Sequence, residues 1–194
     1  MFIEPAIISI LIAKIRGGRF KALERVELNG WYLLIFSALI QVALSVVKKI
    51  TTPWGDIILS NYFIYFIIIT YGLIIISVLL NIRKRYMKVF LIGILLNFIV
   101  IIGNGGQMPV SLEGFKGINT ENILPDREFD IKHTAVNKDT KFVYLADIIL
   151  IPKPYPLAKI LSIGDIFLML GTFLFFQDEM IYIKRKKYPK YLKL

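Results

Sequence analysis

Long runs of apolar residues, separated by short polar stretches, dominate the pattern of the chain. Three runs contain no charged residue: 28–47, 57–82 and 89–112. Each reaches the roughly 18–20 residues that a helix needs to cross a bilayer. Two weaker apolar segments, 5–13 and 166–177, flank these runs. The pattern predicts an all-α membrane protein, a single polytopic domain over 1–194 with about five transmembrane helices, near 2–15, 30–47, 60–82, 89–102 and 162–183, and a long outer loop over 103–161.

The composition agrees with lipid as the solvent. The chain is 56% hydrophobic and 20% charged, whereas soluble domains are nearer ~45–50% apolar and ~25% charged. It has no cysteine, which excludes disulfides and thiolate metal sites. The net charge of +10 comes mainly from basic residues at the ends of apolar runs, where membrane topology accounts for them. We therefore expect the bilayer, and no nucleic acid, as a partner.

The positive charges also predict an orientation. The loop after the first helix, the loop after the third and the tail hold fifteen basic residues: Lys14, Arg16, Arg19, Lys21, Arg25, Arg83, Lys84, Arg85, Lys88, Lys184, Arg185, Lys186, Lys187, Lys190 and Lys193. The predicted outer loop is long, and its basic residues are matched by acidic ones, so it has little influence on orientation. The rule predicts the N-terminus outside and the C-terminus inside, in the cytoplasmic membrane. The basic loops and tail also suit anionic lipid headgroups.

The stretch "GNGGQMPVS" ends the fourth helix early. The predicted helix 89–102 has fourteen residues and would span ~21 Å, whereas the hydrocarbon layer needs ~30 Å. One interpretation is an ordinary glycine C-cap with a proline beyond it. The other is irregular backbone at membrane depth, which must be enclosed by protein or line a cavity, as in the broken helices of transporters.

A candidate polar site follows from this stretch and from the start of the fifth helix. Asn97 and Asn104 are seven residues apart and would share one helical face. Ser162 and Asp165 have the spacing of a capping box, and Gly164 and Gly171 would let another helix approach closely. Gln41 is a further candidate. The predicted site comprises Asn97, Asn104, Gly105, Gly106, Gln107, Met108, Pro109, Ser111, Asp147, Ser162 and Asp165.

Three segments together resemble a bacterial family of small multi-pass membrane proteins of uncharacterised function. They are "RGGRFKAL", "NGGQMPVS" and "LADIILIPKPYPLAKILSIGD". The resemblance implies a polytopic inner-membrane protein and supplies no catalytic residue. By position, the hallmark of that family falls on Asn104, Gly105, Gly106, Met108, Pro109, Val110 and Ser111, followed by Asp147, Pro152, Gly164 and Asp165.

Catalytic and metal-binding patterns are weak. His133 is the only histidine and is predicted to be a solvated loop residue. Asp126, Glu128 and Asp130 imitate the start of a calcium loop, but Ile131 and Asn137 occupy the places of its glycine and glutamate. No nucleophile motif or phosphate loop is present. We therefore expect no enzymatic activity, no metal and no cofactor.

Three functional hypotheses remain open. The first is a structural or accessory component that binds another membrane protein. The second is binding or transport of a small molecule or lipid at the polar site between the broken fourth helix, the outer loop and the fifth helix. The third is an enzyme at the outer leaflet, which requires Asp147, Asp165 and His133 to converge.

Overall fold

The fold is mostly helical in the computed structural model, which describes residues 3–50, 52–111, 133–151 and 159–187. Five α-helices follow in chain order: α1 (Ile3–Ile15), α2 (Trp31–Ile50), α3 (Pro53–Leu80), α4 (Arg85–Gly103) and α5 (Ile163–Lys187). A 3-10 helix, Phe20–Arg25, follows α1, and a second, Val143–Leu145, precedes α5. The alternating prolines Pro152, Pro154 and Pro156 and the acids Asp126, Glu128 and Asp130 lie outside the described residues.

The pair α4 and α5 forms the centre of the helix packing. The most extensive helix pair is α4 with α5, and α1 packs on α5 while α3 packs on α4. α2 packs mainly along α3. The main core cluster contains Val78, Tyr86, Met87 and Ile94, with aromatic and aliphatic side chains from α3 and α5 packed around it. A second cluster joins Ala13 of α1 to Met180 and Ile181 of α5.

Two helix starts correct the sequence-based bounds. α3 begins at Pro53 rather than near residue 60, because Thr52 accepts a hydrogen bond from the Gly55 amide and proline suits the first helical turn. α4 begins at Arg85 rather than residue 89. The length of an apolar run underestimates the length of a helix whose first turn contains charged and polar residues. With 19 residues, α4 spans ~28 Å at 1.5 Å per residue. The prediction of a truncated fourth helix is therefore wrong.

The remaining bounds differ by smaller amounts. α1 begins at Ile3, α2 continues to Ile50 and α3 ends at Leu80. α5 begins at Ile163, one residue after its cap Ser162, and continues to Lys187. Charged residues that were assigned to loops extend α2 and α5, since lysine and arginine favour helices.

Short strands correct the all-α expectation for the segment between α4 and α5. β1 (Met108–Val110) pairs in parallel with β2 (His133–Ala135), and Val110 forms a parallel bridge with Asp147. β3 (Ile149–Ile151) pairs antiparallel with β4 (Lys159–Leu161). An ion pair between Lys159 and Glu4 joins β4 to the start of α1. We call this end of the bundle, with residues 104–111, 133–151 and 159–165, the capped end.

The opposite end holds the connections from α1 to α2 and from α3 to α4, together with nine described basic residues. The Arg16 guanidinium donates to Gln177 Oε1 at 2.7 Å, and the Asn81 amide nitrogen donates to the Asn29 carbonyl at 2.7 Å. Tyr86 is buried, and its hydroxyl donates to Glu179 Oε1 at 2.6 Å. We call this end, with residues 14–30, 81–88 and 177–181, the basic end.

Two helical segments in the described residues are long and apolar enough to cross a membrane, 59–80 of α3 and 85–103 of α4. The apolar stretch of α2, 31–47, is shorter. These findings rest on length and composition, and they are weak evidence for a membrane protein.

Candidate functional site

The fourth helix ends in a glycine cap. Asn104 is the C-cap, Gly105 follows with φ +71°, and the Gly106 amide donates to the Ile101 carbonyl at 2.8 Å. This six-to-one bond after a left-handed residue is the Schellman arrangement. The C-cap interpretation of "GNGGQMPVS" therefore describes the local geometry of the helix end.

The backbone after this cap is also enclosed. Met108, Pro109 and Val110 of β1 are all buried. Their polar backbone groups find partners on both sides: the Val136 amide donates to the Val110 carbonyl at 3.0 Å, and the Asp147 amide donates to the Pro109 carbonyl at 3.0 Å. The Ser111 amide donates to the Asp147 carbonyl at 2.9 Å. The strand partners thus meet the need of buried peptide groups for hydrogen bonds.

A buried polar network joins α4 to the start of α5. The Ser162 amide donates to Asp165 Oδ2 at 3.1 Å, and the Asp165 amide donates to Ser162 Oγ at 3.0 Å. This reciprocal pair is the predicted capping box, with aspartate in place of glutamate or glutamine. Asn97 completes the network, because its Nδ2 donates to Asp165 Oδ1 at 3.0 Å and its Oδ1 accepts from Ser162 Oγ at 2.9 Å.

Glycines allow the two helices to approach closely enough for these bonds. A Cβ on Gly164 would collide with Asn97 Oδ1 and would lie 2.9 Å from the Gly93 carbonyl oxygen. A Cβ on Gly171 would lie 2.8 Å from Cδ1 of Phe90. The prediction that Gly164 and Gly171 admit a neighbouring helix is therefore confirmed, and that neighbour is α4.

Asn104 takes part in a different set of contacts. Its Nδ2 donates to the Lys141 carbonyl at 3.0 Å, and its Oδ1 accepts from the Lys141 amide at 2.9 Å. The side-chain amide of Asn104 therefore bonds both backbone groups of Lys141, as a neighbouring strand would. The predicted common seam of Asn97 and Asn104 is wrong in this respect, because the helix ends at Gly103 and the two side chains bind different segments. Gln41 lies on α2, which packs mainly along α3.

Asp147 is the exception among the buried polar residues of the capped end. It is 7% exposed, and its Oδ1 has no hydrogen-bond partner within the described part of the chain. Its Oδ2 lies 3.8 Å from Nε2 of His133. Burial raises the pKa of Asp147 to about 7, and the negative charge of Asp165 contributes to the same rise.

The neighbourhood of Asp147 includes residues that sequence patterns did not place there. His133 is exposed, as expected. Its Nε2 nevertheless lies 3.8 Å from Asp147, because β1 lies between β2 and the Asp147 segment. Tyr71 of α3 interacts electrostatically with both Asp147 and Asp165. No periodic signal could have placed these residues together, since the contacts depend on how a loop folds back.

The predicted site residues therefore divide by role. Asn97, Ser162 and Asp165 bind one another, Asn104 binds Lys141, and Gly105 with Gly106 form the helix cap. Met108, Pro109 and Ser111 belong to the paired strand segment, and Gln107 follows the cap. Of the three residues in the enzyme hypothesis, His133 and Asp147 lie 3.8 Å apart, and the charge of Asp165 acts on Asp147. The Ser162 hydroxyl donates to Asn97 and accepts from the Asp165 amide. Within the described ranges, no group of three His, Asp or Glu residues is arranged to hold a metal ion.

Chemically, the capped end combines a closed polar network with one carboxyl group that lacks a full set of partners. Asp165 accepts two hydrogen bonds, one from the Asn97 side chain and one from the Ser162 amide. Asp147 has neither of these donors, and its Oδ1 is buried without a hydrogen-bond partner among the described residues. That environment favours the neutral form of Asp147.

Comparisons with known proteins find similarity over most of the chain. An uncharacterised protein of Thermotoga maritima is 28% identical over 176 residues, which cover 91% of this chain and 90% of the relative. No solved structure matches the chain. A family model matches residues 25–177, from the end of the first 3-10 helix to the second half of α5. The chain therefore belongs to the family described as "Family of unknown function (DUF5317)".

Proposed function

We propose that the chain is a multi-pass protein of the cytoplasmic membrane, with five spans, the N-terminus outside and the C-terminus inside. Contacts at the two ends support alternating passes. Glu4 at the start of α1 pairs with Lys159 at the capped end, whereas Arg16 after α1 binds Gln177 in the second half of α5. The positive-inside rule then places the basic end in the cytoplasm and the capped end outside.

The exposed surface supports the same proposal. Large apolar side chains on α1, α2 and α3 are exposed, including Ile7, Leu11, Phe36, Leu39, Val42, Ile68, Ile69, Ile76 and Leu79. Many large apolar side chains exposed on neighbouring helices are unfavourable in water and favourable against lipid tails. Lipid is therefore the proposed solvent of these three helices.

Within the membrane, we propose a non-enzymatic structural or accessory role for the protein. The observation that carries this proposal is that Asn97, Ser162 and Asp165 form hydrogen bonds with one another. Side chains that bind one another close the junction between α4 and α5 and are not free for a substrate. The capped end would then be a firm outer surface for contact with another membrane protein.

Cysteine labelling tests the orientation, and the natural absence of cysteine makes the experiment clean. Asp139→Cys places a thiol on an exposed turn of the capped end, and Arg83→Cys places one on an exposed turn of the basic end. A membrane-impermeant maleimide should label Asp139→Cys in intact cells and Arg83→Cys only after permeabilisation. Labelling of Arg83→Cys but not Asp139→Cys in intact cells would reverse the orientation, and recovery of the protein without membranes would refute the membrane assignment.

The alternative is binding or transport of a small molecule or lipid at the capped end. One observation favours it: Asp147 Oδ1 is buried without a partner among the described residues, and the charge of Asp165 acts on the same carboxyl group. A ligand with a hydrogen-bond donor would satisfy that oxygen.

Thermal unfolding distinguishes these two roles. For a structural role, Asp165→Ala should lower the melting temperature equally in a pure synthetic lipid and in a total bacterial lipid extract. For a lipid-binding role, the wild type should melt higher in the extract, and Asp165→Ala should lose that increment. Asp139→Ala, which removes an exposed acid of the same segment, serves as the control.

A further inference from the structure

Two carboxyl groups at the capped end have opposite environments. Asp165 lies at the N-terminus of α5 and accepts hydrogen bonds from Asn97 and from the Ser162 amide. Its two oxygens therefore both have donors, at the end of the helix where free N–H groups are found. Asp147 Oδ1 is buried and accepts no hydrogen bond from the described residues. An unpaired charged oxygen in that position is costly, whereas a neutral carboxyl group is not.

The fold brings the two groups into the same neighbourhood. Ala146, next to Asp147, packs with Val100 of α4 in one buried cluster. Val100 lies one helical turn from Asn97, which binds Asp165. A carboxylate at Asp165 therefore disfavours a second negative charge at Asp147. The groups facing Asp147 are His133 from β2, Asp165 from α5 and Tyr71 from α3.

The backbone of Asp147 is part of the outer strand pairing. Its amide donates to the Pro109 carbonyl at 3.0 Å, and its carbonyl accepts from the Ser111 amide at 2.9 Å. Any force that drives the side chain towards water would also pull on these two bonds. A new negative charge next to Asp165 would exert such a force.

We propose that Asp147 is a proton-binding site, and that release of its proton loosens the Asp147 segment from β1. The proton comes from water and returns to water, so no other reactant is involved. The ligand is the hydronium ion, and the responding element is the pairing of residues 109–111 with Asp147. The site adds pH sensitivity to the capped end and does not depend on the side of the membrane that this end faces.

The pKa of Asp147, raised to about 7, places the transition near neutral pH. This agrees with the geometry, because both the missing donors and the nearby Asp165 charge favour retention of the proton. An ordinary exposed aspartate would release its proton at about pH 4.

Infrared spectroscopy of the purified protein in nanodiscs tests proton binding directly. At about pH 6, a carboxylic-acid carbonyl band should be present in the wild type, shift when aspartate is labelled with ¹³C, and decrease as the pH rises through about 7. The labelled wild type gives this result without any substitution. Asp147→Asn should remove the band, and Asp139→Asn should retain it. Absence of a shifting band in the labelled wild type would overturn the proposal.

Hydrogen exchange tests the structural response. The Ser111 and Asp147 amides should lose protection in the wild type above the pH at which the band disappears, beyond the ordinary increase of exchange with pH. Asp147→Asn, a permanently neutral side chain, should keep both amides protected at high pH, and Asp139→Asn should behave as the wild type. Equal protection of wild type and Asp147→Asn across the titration would overturn the proposed loosening.

Discussion

Asn97 binds the first turn of α5 through both polar atoms of its side chain. It donates to Asp165 Oδ1 and accepts from Ser162 Oγ, and it is itself buried. Loss of such a residue leaves buried partners unpaired, at a cost of about 1–3 kcal/mol for each group. Individual side chains at this junction therefore carry a large share of the stability of the capped end.

Gly164 provides the first test at the residue scale. Gly164→Ala should lower the free energy of unfolding by about 1–3 kcal/mol, because the new methyl group would occupy the place of Asn97 Oδ1. Gly72→Ala in α3 is the matched control, since nothing lies within 4 Å of its Cβ position. There, alanine should stabilise by about 0.5–1 kcal/mol. Denaturant unfolding in detergent measures both changes, and equal effects of the two variants would contradict the close packing.

The titration of Asp147 makes a second prediction, concerning the pH dependence of stability. The pKa is raised from the ordinary 3.8 to about 7 in the folded protein. The folded state therefore binds the proton more tightly than the unfolded state, and the stabilisation is present below about pH 4. It should be lost as the pH rises through about 7, by up to about 4 kcal/mol. Asp147→Asn should abolish this slope, and an unchanged slope in that variant would assign the pH dependence to another group.

Residue-level prediction from sequence succeeded where spacing determines geometry. Ser162 and Asp165 are three residues apart, and that separation suffices for a capping box. The contact between His133 and Asp147 has no such signal, because it depends on β1 lying between two loop segments. Sequence patterns therefore predicted the position of Asp165 but not the contact between His133 and Asp147.

At the scale of elements, α4 ends in a glycine cap and continues directly into a buried strand. Both interpretations of the glycine-rich stretch describe part of this arrangement: the cap ends the helix, and strand pairing encloses the backbone that follows. The predicted shortness of α4 was wrong, because the helix begins in a polar turn at Arg85. The three-residue strand β1 was not predicted, since its hydrogen bonds reach residues far along the chain.

The two glycines of the cap predict different costs for the same substitution. Gly105→Ala and Gly106→Ala both place alanine at positive φ, +71° and +93° respectively. Nothing lies near a Cβ at Gly105, whereas one at Gly106 would lie 3.1 Å from the Phe63 ring. Gly105→Ala should cost about 1 kcal/mol of unfolding free energy from backbone strain, and Gly106→Ala should cost more. The comparison is made by denaturant unfolding, and a larger loss for Gly105→Ala would contradict the described cap.

At the scale of the whole molecule, the bundle has two chemically different ends. The basic end joins α1, α4 and α5 through Arg16, Gln177, Tyr86 and Glu179. The capped end joins α1, α4 and α5 through the Asn97 network and the Glu4–Lys159 ion pair. Basic residues along the sequence predicted an inner and an outer end, and which end faces the cytoplasm stays a prediction. The order of helix neighbours required the structure, since every apolar run looks alike at the level of composition.

A double-mutant cycle between Asn97 and Asp165 most directly tests the central claim that a mutually satisfied polar network fastens α4 to α5. The unfolding free energy is measured in the same detergent for the wild type, Asn97→Ala, Asp165→Ala and the double variant. Each single variant should be destabilised, and the double variant should lose at least about 1 kcal/mol less than the sum of the two single losses. Strict additivity, or single variants as stable as the wild type, would contradict it.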